Sequence, residues 1–189
     1  MHEHCIWVGI RTLTMGVTLI SVIASSAAQT NDTRLRFKGG IGVIPVSSGV
    51  AVAPTPGTAA TVESVNRNIV RGVQPAGQIW VIDQLDARVR ANGRITVEGK
   101  GLVLGGGDNA GRATGQSVLA TLICQTTPPF TESRTSGGGV LLSPTGDFKI
   151  DDVLAPVPSL SNCTSPMLLI RNATNLGWFA IGIPRPAND

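Results

Sequence analysis

Tyrosine is absent from the sequence, aromatic residues make up only 4% of it, and its two histidines, His2 and His4, both stand at the extreme N-terminus. Beyond position 4 the chain has no imidazole. That excludes Ser-His-Asp and Cys-His catalysis, histidine zinc sites and histidine pH switching from the rest of the protein. With few aromatics and a net charge of only +3, the chain also lacks the stacking platforms and dense basic track of a nucleic-acid binder. An outer-membrane barrel, which needs aromatic girdles, is disfavoured for the same reason. No metal and no cofactor is expected. The one stretch that invites such a reading is Gly105 to Gly115, GGGDNAGRATG. Its glycine frame is followed by Arg112-Ala113, where a phosphate loop needs lysine and a hydroxyl residue. Asp108 and Asn109 offer too few oxygens for calcium.

Residues 1–28 are organised differently from the remainder. A polar patch closed by Arg11 is followed by an apolar run from Leu13 to Ile23 and by the small residues Ala24 to Ala28. This is the plan of a secretory signal peptide cleaved after Ala28. The apolar run is shorter than the roughly 20 residues of a membrane-spanning helix. Cleavage would remove Cys5 and leave Cys124 and Cys163 as a pair in an oxidising compartment, where disulfides persist. A secreted or periplasmic protein with a Cys124–Cys163 disulfide and no membrane span is therefore expected.

The segment Gln116 to Cys124, QSVLATLIC, is apolar on both faces of a pleated strand and belongs mid-sheet in a two-layer protein. Around it the chain reads as short strands. Residues 29–66 form an extended N-terminal part and an uncharged loop, with Thr33 to Val46 expected along a sheet edge because Pro45 cannot donate to a ladder. Residues 67–189 form the β domain. Asn68 to Val73 and Gln78 to Asp83 read as successive strands around a Pro75-Ala76-Gly77 turn. Leu85 to Leu104 is a hairpin whose loop length follows from its pattern. Only a three-residue Ala91-Asn92-Gly93 loop pairs Val89 with Ile95 and keeps one face apolar, and it places Gly93 in the left-handed position. Pro144-Thr145-Gly146 turns Gly139 to Ser143 into Asp147 to Leu154, with Phe148 and Ile150 facing inward. The strand is expected to end or bulge at Asp151-Asp152, since an unpaired inward carboxylate is costly. Met167 to Arg171 and Trp178 to Ile183 form a closing hairpin.

The expected fold is an all-β antiparallel sandwich, with immunoglobulin-like topology as one form of it. The blocks IVRGVQPAGQIWVI (Ile69 to Ile82), TGDFKIDDVL (Thr145 to Leu154), PMLLIRN and GWFAIGI (Pro166 to Ile183) resemble a group of secreted bacterial proteins with no assigned activity. The resemblance implies a compartment and a fold, and it carries over no catalytic residue. Asp147, Asp151 and Asp152 are the candidate polar site, and Trp80 is a candidate for stacking on a ligand, although a core position is its commoner use. The first functional expectation is a non-enzymatic module that binds a surface, a polysaccharide or a protein. Two alternatives are a glycan hydrolase using a carboxylate pair drawn from Asp147, Asp151 and Asp152, and an assembly subunit that exchanges Thr33 to Val46 as an edge strand. Sequons occur at Asn31, Asn162 and Asn172.

Overall fold

A computed structural model describes residues 33–48 and 65–186. The expected signal segment, Asn31 and most of the expected uncharged loop lie outside the described residues. In chain order the strands are β1 (Thr33–Gly42), β2 (Val46–Ser48), β3 (Val65–Arg67), β4 (Trp80–Val81), β5 (Gln84–Arg90), β6 (Arg94–Lys100), β7 (Val103–Leu104), β8 (Ser117–Ile123), β9 (Glu132–Arg134), β10 (Val140–Leu141), β11 (Phe148–Val153), β12 (Met167–Asn172) and β13 (Trp178–Arg185). A single 3-10 turn, Leu160–Asn162, is the one helical element among the described residues.

Nine strands form one antiparallel sheet in the order β10-β8-β12-β13-β1-β5-β6-β11, with β9 also on β8. β10 pairs with Ser117 and Val118, and β9 with Thr121 to Ile123, so the two divide one edge of β8 between them. β9 then reaches the far end of the order. Arg134 and Ala155, just past β11, exchange backbone hydrogen bonds of 2.9 and 2.8 Å. The sheet thus returns on itself and is nearly a barrel. The all-β antiparallel fold and the disulfide agree with the sequence reading, whereas the ladder does not divide into two facing sheets.

Alternation explains the barrel wall from β5 to β11. Leu85, Ala87 and Val89 are buried on β5, Ile95 and Val97 on β6, and Phe148 and Ile150 on β11, while Arg88, Glu98, Lys149 and Asp151 are exposed. The β5–β6 loop has the expected three residues, because Val89 pairs with Ile95 and Arg88 with Thr96. Gly93 adopts φ 81°, and its N–H donates to Arg90 O. β8 is buried at every position from Val118 to Ile123 and lies between β12 and the β9/β10 pair, as a strand with two apolar faces must.

Three expectations are corrected. Thr33 to Gly42 does not run along an edge: β1 is paired on both sides, with β13 and β5, and Pro45 lies beyond its end. A single strand period could not reveal this, since edge and centre differ only in their partners. Second, β11 neither ends nor bulges at Asp151-Asp152, and its register with β6 continues to Val153. Third, Asn68 to Val73 is not a strand. Arg71 and Gly72 have φ 46° and 80°, the two positive values of a tight hairpin turn, and Val70 and Val73 bond reciprocally across it. Of Gln78 to Asp83, only Trp80–Val81 is strand, paired with β7.

Candidate functional site

A cleft of about 710 Å³ opens at the end of β8. Two stretches of chain build it. One leaves β8 through Cys124 and passes Gln125 to Pro129 before entering β9 at Thr131 and Ser133; the other follows β11 through Pro156 to Ser159, Asn162 and Thr164. Cys124 and Cys163 join the two as a disulfide, with their Cα atoms 4.8 Å apart. Gln125 Oε1 accepts the Thr131 N–H at 3.1 Å, which closes the first stretch into a loop. The proline-rich composition of both stretches restricts their backbones.

The chemistry of this cleft is neutral. Hydroxyls of Thr126, Thr127, Thr131, Ser133, Ser159 and Thr164 and the amides of Gln125 and Asn162 line it beside the aliphatic surfaces of Leu122, Val157 and the prolines. Among the described residues no Asp, Glu, Lys or Arg lines it. Such a wall can donate and accept hydrogen bonds and make C–H contacts.

The sequence candidates lie elsewhere and do not converge. Asp147 sits at the turn before β11, accepting the Gly101 N–H and the Thr145 hydroxyl. Asp151 points outward in an ion pair with Arg94 at 2.9 Å. Asp152 points to the opposite face and accepts the Ser136 N–H and hydroxyl at 2.8 and 2.9 Å and the Val153 N–H at 2.7 Å. Desolvation alone would raise its pKa, but these three bonds together outweigh it and hold the carboxyl below its usual range. Alternation places Asp147 and Asp151 roughly 13 Å apart along the chain, so no carboxylate pair forms from the three. Trp80 is buried, stacked on Phe179 with ring centroids 4.0 Å apart, and so fills the core. Asn172 is also buried. Its Oδ1 accepts the N–H groups of Thr174 and Asn175, which organises the β12–β13 loop, while Asn162 is exposed at the cleft.

Sequence reasoning missed two arginines, Arg171, which is buried, and Arg71, which is half-buried. Arg171 interrupts the apolar run of β12 and pairs with Glu132, and its only sequence signal is a charge inside Leu168-Leu169-Ile170-Arg171. Arg71, at the tight turn, donates to Ile123 O and Ser165 O at 2.7 Å each, and burial lowers its pKa. It therefore pins the 68–76 hairpin to the end of β8 beside the disulfide. A second depression, of about 500 Å³, mixes charges from Lys38, Asp83, Asp86, Glu98, Lys100 and Arg185. Glu98 there is ion-paired with Lys149 at 2.8 Å; the hydrogen bond and the lysine charge lower the Glu98 pKa and raise that of Lys149.

No family model matches the chain, and no curated protein or solved structure matches it either.

Proposed function

We propose that the protein is a secreted or periplasmic, non-enzymatic binding module whose cleft at the Cys124–Cys163 disulfide takes a neutral, hydroxyl-rich chain, that is, an uncharged polysaccharide. The observation that carries this reading is the lining itself. Hydroxyl and amide groups alternate with proline and valine surfaces, and no charged side chain intervenes. Sugars present both hydroxyls and C–H faces, and they match such a wall without paying to desolvate an ion. The resemblance to secreted bacterial proteins and the disulfide support the compartment. A two-layer, sandwich-like packing belongs to the same reading, supported by Trp80 of the short β4–β7 ladder stacking on Phe179 of the long sheet.

Affinity electrophoresis of the folded protein through gels containing neutral glucans, mannans and galactans tests this. Retardation is expected to be equal at low and high salt, because no counterions are released on neutral contact. It should be lost in Thr127→Arg/Thr164→Arg, which places two cations in the cleft. Unretarded migration in every gel, or retardation that the double variant leaves intact, would overturn the reading.

A further inference from the structure

A different part of the molecule presents a sheet face with no partner among the described residues. The β2–β3 ladder pairs Val46 with Arg67, and the Asn68 N–H donates to Pro45 O just beyond it, before the Ile69 N–H turns back to Arg67 O. On the other side, the Trp80 N–H donates to Val43 O and joins β4 to the same layer. β4 pairs with β7, and the Gly105 N–H donates to Ile79 O. Residues 43–48, 65–69, 79–81 and 103–105 therefore form one small hydrogen-bonded layer.

Its two faces differ in where they point but not in polarity. Val43, Trp80 and Leu104 turn inward and are 0%, 4% and 8% exposed. On the outer face Ile44 is 61% exposed, Val46 46%, Ile69 50%, Ile79 42% and Val81 44%. Ile79 and Val81 adjoin, since a methyl group added at Gly105 would meet both at about 3 Å. A solvated sheet face ordinarily alternates to polar residues; on this one aliphatic residues prevail, with Arg67 opposite Val46. Five half-exposed aliphatic side chains present on the order of 450 Å² of apolar surface on this side, within the range of about 300–600 Å² typical of a monomer's largest and often functional patch.

We infer that this face is where a second copy of the chain docks, two-fold related. Two observations favour a copy. The face carries no Asp, Glu or Lys among the described residues, and Arg67 stands at its rim with its guanidinium turned to Pro75 O at 3.1 Å. The face therefore meets itself without apposing like charges, in a protein whose overall net charge of +3 opposes other self-contacts. Second, two such faces together bury on the order of 1,000 Å², the threshold for a specific interface and well short of an obligate one. The dimer is accordingly reversible. A lipid surface fits less well, because interfacial binding uses aromatic and basic side chains and this face is built of isoleucine and valine.

Sedimentation velocity of the full chain from about 1 to about 300 µM tests the assignment across the range where weak dimers form. A monomer–dimer equilibrium is expected. Ile44→Lys/Val81→Lys should weaken it at least about tenfold, through charge repulsion at the centre of the face. Leu141→Lys, at an apolar residue 65% exposed on β10, should leave it unchanged. If the double lysine variant melts well below the parent protein, Ile44→Thr/Val81→Thr replaces it, with the same expectation in smaller measure. A monomer at every concentration, or a dimer that the face variants do not weaken, overturns the inference. Flotation with phosphatidylcholine vesicles that depends on Ile44 and Val81, in a protein that stays monomeric, would also overturn it and give the face to lipid.

Discussion

Arg171 on β12 donates to Glu132 on β9 at 2.6 Å, across the back of β8, where Thr121 Oγ1 lies 3.5 Å from the same guanidinium. Its Nε donates to Leu176 O at 2.7 Å. The arginine side chain is 6% exposed and the glutamate 34%, so one cation is fully desolvated and its partner only partly.

Removing one partner strands the other. Glu132→Gln leaves a buried guanidinium without its counter-charge and should destabilise the fold by about 2–3 kcal/mol, below the range for a fully buried pair because water reaches the glutamate. Arg171→Met should cost a similar amount by leaving Leu176 O unpaired. The double variant should cost clearly less than the sum, since each change removes the reason for the other. Urea unfolding of the four proteins checks this, and strictly additive losses would show that the pair contributes nothing as a pair.

The disulfide closes a sequence separation of 39 residues. In the chain-entropy account a loop of that size contributes about 4 kcal/mol. Cys124→Ser/Cys163→Ser should therefore lower the melting temperature by many degrees, and it should also abolish retardation by neutral glycan, because the disulfide joins the two cleft walls. Calorimetry with and without reductant measures the first effect. A protein indifferent to reductant would contradict both.

Asp152 supplies a pH dependence whose sign follows from its partners. Its folded pKa lies below the ordinary value, so its contribution is fully present above the unfolded pKa of about 3.9 and is lost as pH falls through the folded value. At neutral pH Asp152→Asn should cost at most about 1 kcal/mol. The difference between parent and variant should shrink below about pH 4 and vanish once both side chains are neutral. Unfolding titrations at a series of pH values read it, and a difference that grew on acidification would reverse the assignment.

Gly99 pairs with both Leu85 and Phe148, and the Phe148 ring lies over it. A side chain at position 99 would begin inside the Phe148 ring's contact distance, against Cε1 and Cζ. Gly99→Ala should then cost about 3 kcal/mol by driving the ring off its rotamer. In a Phe148→Leu background the same change should cost at least about 1 kcal/mol less. Equal costs in both backgrounds would mean the ring is not what fills the space.

Much of the wall was legible in advance because strand period is local. Val89 against Ile95, the left-handed Gly93, the inward Phe148 and the twice-buried β8 all follow from which side of a pleat a residue occupies. Asp152 shows where that reasoning stops. Alternation correctly pointed it inward, yet nothing near it in sequence announced that Ser136 would satisfy it, so the strand continues where a break was expected. The cleft was half legible: the cysteine pair brought its two walls together, but threonines, serines and prolines around a concavity look like those of any loop.

By itself, then, the sequence determined the all-β antiparallel class, the β5–β6 register, the disulfide and the exclusion of histidine chemistry beyond position 4, because each depends on residue type or on a local pattern. The tertiary structure alone decided that β1 is central and that the sheet meets itself at Arg134 and Ala155. It also decided between the two readings of Trp80, and it left Ile44, Val46, Ile69, Ile79 and Val81 exposed. Those are matters of long-range partnership: a strand carries the same period at an edge or a centre, and only the chain brought beside it decides whether its side chains are covered.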